Sequence, residues 1–182
     1  MRISKRGVAS TAAVALFFTV AWASGVQLAV NTSPSMPRGL YLMRPAGELS
    51  RDALAAICLR EGKASRTYLT RDYLPPGRTC ESGVGMLLKP LAGVPGDVVE
   101  ITPIGVAING VVIPRSRSYD NDSQGLPIEH LPIGWRHTLG TDEYFALATH
   151  MERSLDSRYY GPVARSQIRA EVSPIISFES GE

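Results

Sequence analysis

From Val8 to Val30 the chain carries no charged residue. This run, VASTAAVALFFTVAWASGVQLAV, is long enough to cross a hydrocarbon core that takes about 20 residues. Arg2, Lys5 and Arg6 precede it, and the next charge is Arg38. By the positive-inside rule, residues 1–7 stay in the cytoplasm and the chain beyond residue 30 lies outside, in the periplasm of a bacterium. Two leading readings of the run stay open, with a buried soluble helix as a third. It is a retained transmembrane anchor over 8–30, or a signal segment cleaved after Ala23, where Ala21-Trp22-Ala23 has the small-x-small pattern. Both export residues 31–182, which suffice for one well-buried core.

The exported part reads as mainly β. Short strands are expected at Leu40–Met43, Leu54–Leu59, Met86–Leu91, Val98–Ile101 and Tyr144–Thr149, with a closing strand over Ser166–Ile176. Asn109-Gly110, between Gly105–Ile108 and Val111–Ile113, is a hairpin signal, because this pair accepts the positive φ values of a type I′ turn. Pro95-Gly96-Asp97 is a second strong turn. Residues 62–78 are polar and rich in turn formers, and so is the proline-rich stretch 114–142; both are expected to be irregular. A net charge of +2, with its basic residues scattered, gives no nucleic-acid surface.

Several residues could carry chemistry. Ser35 stands just past the apolar run between two prolines, Pro34 and Pro37, which favour extended, loop-like backbone. A serine hydroxyl is a weak nucleophile until a base takes its proton. His130, His137 and His150 sit in no triad context. Lys89 is the better base: it is a lone charge in Met86-Leu87-Leu88-Lys89-Pro90-Leu91, where burial would lower its pKa. Its alternative is an edge-strand lysine with the ammonium in water. Ser154-Leu155-Asp156-Ser157-Arg158 suits either a hydrogen-bonded network that orients a lysine or a solvated turn. Cys58 and Cys80 are too few for a disulfide scaffold or a four-thiolate zinc site. An oxidising compartment makes them a disulfide candidate, and two separately buried thiols are the alternative.

Taken together, these clusters resemble the signal peptidase I (S26) family of membrane-anchored Ser–Lys proteases. Ser33-Pro34-Ser35-Met36-Pro37 is similar to the family's S-x-S-M box. Lys89-Pro90-Leu91-Ala92-Gly93-Val94-Pro95-Gly96-Asp97 resembles its lysine box, and Ser154-Leu155-Asp156-Ser157-Arg158 its S-x-D-S-R box. The resemblance implies a signal-peptidase-like β-fold, Ser35 as nucleophile and Lys89 as general base. It makes Ser33 an oxyanion-hole donor beside the Ser35 N–H, Ser154 a partner of the lysine, and Asp156–Arg158 a supporting ion pair. No metal or cofactor is implied.

Met36-Pro37-Arg38-Gly39-Leu40-Tyr41 departs from the M-x-P-T of general leader peptidases. It resembles the conjugative-transfer branch, the TraF-type peptidases of plasmid and type IV secretion loci. That branch implies a pilin precursor as protein substrate, the inner membrane as the site of action and other conjugative-transfer components as partners. In some members the pilin's own N-terminus resolves the acyl-enzyme, giving a cyclic product. A general signal peptidase and a non-enzymatic exported binding module are the other readings.

Overall fold

The structure is a computed structural model, and it describes residues 25–33 and 35–178. The first strand, β1 (Gln27–Asn31), already overlaps the apolar run. It pairs antiparallel with β2 (Arg38–Pro45), from Gln27 opposite Met43 to Asn31 opposite Gly39. Residues 27–30, expected at the end of an anchor, therefore belong to the sheet. Their backbone groups bond across to β2, a strand geometry that excludes a helix there. The folded domain thus begins ahead of residue 31; residues 8–24 of the expected anchor lie outside the described residues. Among the described residues no helix is long and apolar enough to cross a membrane.

The expectation of a mainly β domain holds. The remaining strands are β3 (Leu54–Ile57), β4 (Leu87–Gly93), β5 (Val98–Thr102), β6 (Gly105–Ile108), β7 (Val111–Val112), β8 (Arg136–Thr138), β9 (Glu143–Ala146), β10 (Val163–Ala164) and β11 (Ile168–Phe178). Seven form one sheet in the order β1-β2-β11-β3-β4-β9-β10, and four form another in the order β7-β6-β5-β8. Among the described residues every pairing is antiparallel. The β6–β7 hairpin turns on Asn109 and Gly110, with φ of 52° and 81°, as a type I′ turn requires.

Strand alternation distributes the core. In β3, Ala55 and Ile57 face one cluster with Leu87 and Leu91, while Ala56 faces another with Tyr41, Met43 and Val172. In β9, Tyr144 and Ala146 join the first cluster. Phe145, on the opposite face, packs with Val99, Ile101 and Val106 of the smaller sheet. β9 thus ties the two sheets together through its period of two. Gly93 lies opposite Phe145 in the β4–β9 register. A Cβ there would come within 2.9 Å of Phe145 Cβ and Leu139 Cδ1, so only glycine fits this approach. Gly39 is tighter still, since an added Cβ would lie 2.1 Å from the Ile176 carbonyl oxygen.

Stretch 62–78, expected to be irregular, contains helix α1 (Lys63–Thr70). Only Ser65 and Tyr68 of its eight residues are buried, too few to leave a 3.6-residue apolar stripe in the sequence. A second, single-turn helix, α2 (Ser157–Tyr160), starts at an N-cap, Asp156. Stretch 114–142 is mostly irregular, but contributes β8 and an isolated bridge between Asn121 and Pro127.

Candidate active site

Ser35 lies in the short connection between β1 and β2 and is 8% exposed. Its Oγ is 2.9 Å from Ser33 Oγ, and its backbone N–H donates to the same Ser33 oxygen at 3.3 Å. The two hydroxyls and the amide therefore form one small cluster. Ser33 is exposed, so a bound molecule can reach its hydroxyl.

Lys89 sits in mid β4, directly opposite Ala55 of β3. Buried and half-buried residues alternate along β4, which puts Lys89 on the same core-facing side as Leu87 and Leu91. The side chain is not snorkelled to water: Lys89 is 3% exposed. Its Nζ donates to Ser154 Oγ at 2.6 Å. Burial is the main influence on its pKa; the nearby Asp156 opposes it and Arg158 adds to it. Together they bring the pKa down from 10.5 to about 8. A lysine tuned this way supplies a neutral amine near working pH.

Beneath Ser154 lies a buried ion pair. Asp156 and Arg158 are both fully buried. Arg158 Nε donates to Asp156 Oδ1 at 2.8 Å, and its Nη2 donates to Oδ2 at 2.8 Å. The remaining guanidinium hydrogens go to the carbonyls of Arg117, Glu152 and Ser154 at 2.7, 2.9 and 3.1 Å. That accounts for all five donors of the guanidinium. Asp156 in turn accepts from the backbone N–H of Ala148 and of Arg158. A buried pair compensates its desolvation only when its other hydrogen-bonding capacity is filled, and here it is. The grip on the Ser154 carbonyl fixes the residue whose hydroxyl meets Lys89.

Ser33, Ser35, Lys89 and Ser154 all open on one cleft of about 750 Å³. Its apolar walls include Ala29, Met43, Met86 and Leu88. None of the three histidines lines it. His130 is held by Asp120 and the Leu131 carbonyl, and His137 by Glu143. Among the described residues no group of three or more His, Cys, Asp or Glu is placed to hold a metal.

Cys58 and Cys80 are joined by a disulfide, with Cα atoms 5.4 Å apart. The bond ties the end of β3 to the loop that leads back into β4. That loop supplies another wall of the cleft, through Arg71, Tyr73 and Leu74. Asn121, Asp122 and Ile128 from stretch 114–142 line the cleft as well. The two segments are fastened to each other: the Tyr73 hydroxyl donates to Asp122, and Arg71 Nη1 donates to the Pro127 carbonyl at 2.7 Å. These wall residues escaped sequence reasoning, because nothing in two polar loops about 50 residues apart indicates that they meet. Asn31 escaped it too, although an Asn two residues before a serine is a turn-forming signal.

The chain matches the signal peptidase, peptidase S26 family over residues 2–176 and belongs to it. Within that family it is similar to proteins of plasmid and conjugal transfer. It is 30% identical over 177 residues to the plasmid transfer protein TraF of Escherichia coli, covering 97% of each chain. It is 31% identical over 156 residues to the conjugal transfer protein TraF of Agrobacterium tumefaciens (strain 15955), covering 82% of each. A probable conjugal transfer protein TraF of Sinorhizobium fredii is 29% identical over 161 residues, or 88% of this chain and 81% of the relative. Among solved structures, a signal peptidase I from Enterococcus faecalis V583 matches with a TM-score of 0.38 and 21% identity. That match covers 69% of this chain and 97% of the other.

Proposed function

We propose that the chain is a Ser–Lys endopeptidase that processes a conjugative pilin precursor at the outer face of the inner membrane. The observation that carries this reading is a lysine amine, buried among apolar side chains, that opens on the same cleft as Ser35. The Ser35 proton passes to neutral Lys89 as Oγ attacks the scissile carbonyl carbon. The oxyanion is met by the Ser35 N–H and the Ser33 hydroxyl, and one such donor contributes about 3 kcal/mol. The C–N bond breaks, Lys89 returns the proton to the leaving amine, and an ester on Ser35 remains. Water activated by Lys89 then releases the new carboxylate. Attack by the pilin's own amino group instead closes a ring, with the same serine ester as intermediate. Ser154, held by Arg158, keeps the amine in place throughout.

Membership of a peptidase family and similarity to TraF proteins support the substrate class. Location at a membrane is supported by the apolar run in the sequence and by side chains exposed near its end. Leu28 and Val30 of β1 are 65% and 73% exposed, and Phe178 of β11 is 65% exposed. Leu28 and Val30 stand two apart on one strand and so share a face, and apolar side chains grouped this way fit contact with a membrane.

The test is the intact mass of the candidate pilin from cells carrying the wild-type protein or Ser35→Ala. Processed pilin with the wild type and unprocessed pilin with the variant is the expected result. A mature product one water lighter than the linear peptide identifies cyclisation. The same mature pilin in both strains would overturn the assignment.

A further inference from the structure

We propose that Asn31 is the positioning residue of the serine turn: its side-chain amide sets where the hydroxyls of Ser33 and Ser35 stand. The inference rests on Ser35 being the nucleophile. Asn31 ends β1 and is 7% exposed. Its Oδ1 accepts from the Ser33 backbone N–H at 3.1 Å. Its Nδ2 faces three carbonyls, those of Ser33, Met36 and Pro37, at 3.1, 3.2 and 3.0 Å. An amide NH2 has two hydrogens, so the three oxygens share them. Tyr41 assists from β2, donating its hydroxyl to the Pro37 carbonyl at 2.6 Å.

The need for such a residue follows from the local sequence. Pro34 and Pro37 bring no amide hydrogen, so the turn is short of backbone donors while its carbonyls still need partners. Asparagine is the residue that offers a donor and an acceptor at this reach. Aspartate keeps the acceptor and loses both donors, alanine loses everything, and glutamine is one methylene longer. Fixing the Ser33 backbone in turn fixes its hydroxyl, which contacts both Ser35 Oγ and Ser35 N. Asn31 thereby acts on the nucleophile and on both oxyanion donors, although its own work is done within the turn.

The experiment uses the full-length chain and a small fluorophosphonate, which phosphonylates a serine nucleophile without needing the rest of the cleft. Asn31→Asp, nearly isosteric, and Asn31→Ala are compared with the wild type and Ser35→Ala. A displacement of the nucleophile by about 1 Å is expected to lower the labelling rate about 100-fold. The lost hydrogen bonds lower the thermal midpoint, but both variants should stay folded at the assay temperature. In Asn31→Ala, which adds no charge near Lys89, the pH midpoint of labelling should not move. A labelling rate that stays at the wild-type value in Asn31→Asp overturns the proposal, as does a loss that merely follows the unfolded fraction. The Ser35→Ala control separates the two readings. If it takes no label, a full-rate Asn31→Asp removes the positioning role alone. If it labels normally, the nucleophile assignment fails, and the role of Asn31 with it.

Discussion

Replacing Lys89 with methionine should abolish activity and yet stabilise the protein at neutral pH. Lys89 is 3% exposed, and its pKa falls from the ordinary 10.5 to about 8, chiefly through burial. At about 1.4 kcal/mol for each tenfold, the buried charge costs the folded state roughly 3 kcal/mol. Methionine fills a similar volume without that charge. It also strips Ser154 Oγ of its lysine partner, which takes back about 1 kcal/mol. The net gain at pH 7 is then about 2 kcal/mol, or about 5 °C in thermal midpoint for a chain of this size. The sign of the pH dependence follows from linkage. Between about pH 8 and 10.5 the unfolded chain holds a proton on Lys89 that the folded chain has released, so wild-type stability rises with pH across that window. The advantage of Lys89→Met is therefore fully present below pH 8 and closes by about pH 10.5. Thermal unfolding of the full-length chain in mild detergent, at a series of pH values, measures it. A variant less stable than wild type at pH 7, or a gap that does not narrow with alkali, would refute the claim that the buried ammonium is a cost.

Activity should rise with pH along a limb with its midpoint at about 8, since only neutral Lys89 accepts the serine proton. Full activity at pH 6 in a pH–rate profile would contradict it. Arg158→Met should cost roughly 3–5 kcal/mol, because it leaves Asp156 charged and buried and three carbonyls without donors. Arg158→Lys should recover only part of the thermal midpoint, lacking the planar fork. Reducing the Cys58–Cys80 bond, which spans a sequence separation of 22, should cost about 3 kcal/mol in the chain-entropy picture. It should also raise KM, since the released loop carries a cleft wall; equal kinetics with and without reductant would separate the bond from the cleft.

Much of the candidate site could be read from local order along the chain. Ser35 was visible as a serine in a proline turn, and Lys89 as the one charge in an apolar strand. The hairpin at Asn109-Gly110 followed from a backbone requirement that two adjacent residues satisfy. Helix α1 was not legible, because a short helix burying one serine and one tyrosine leaves no periodic stripe. The expected anchor boundary at residue 30 falls inside β1 for a related reason. Leu28, Ala29 and Val30 are equally apolar in a helix or a strand, and only pairing with β2 decides between them.

Local order along the chain is enough to read the mainly β character of residues 31–182, the turns, and the residue types on which the proposed chemistry depends. These are set by neighbours in the chain, through φ preferences and side-chain alternation. Packing from elsewhere in the chain turns Lys89 inward rather than letting it snorkel, gives all five Arg158 donors a partner, and locks two distant loops into one cleft wall. Burial, and the pKa it changes, belong to whatever packs against a residue from elsewhere in the chain, and no local pattern carries that information.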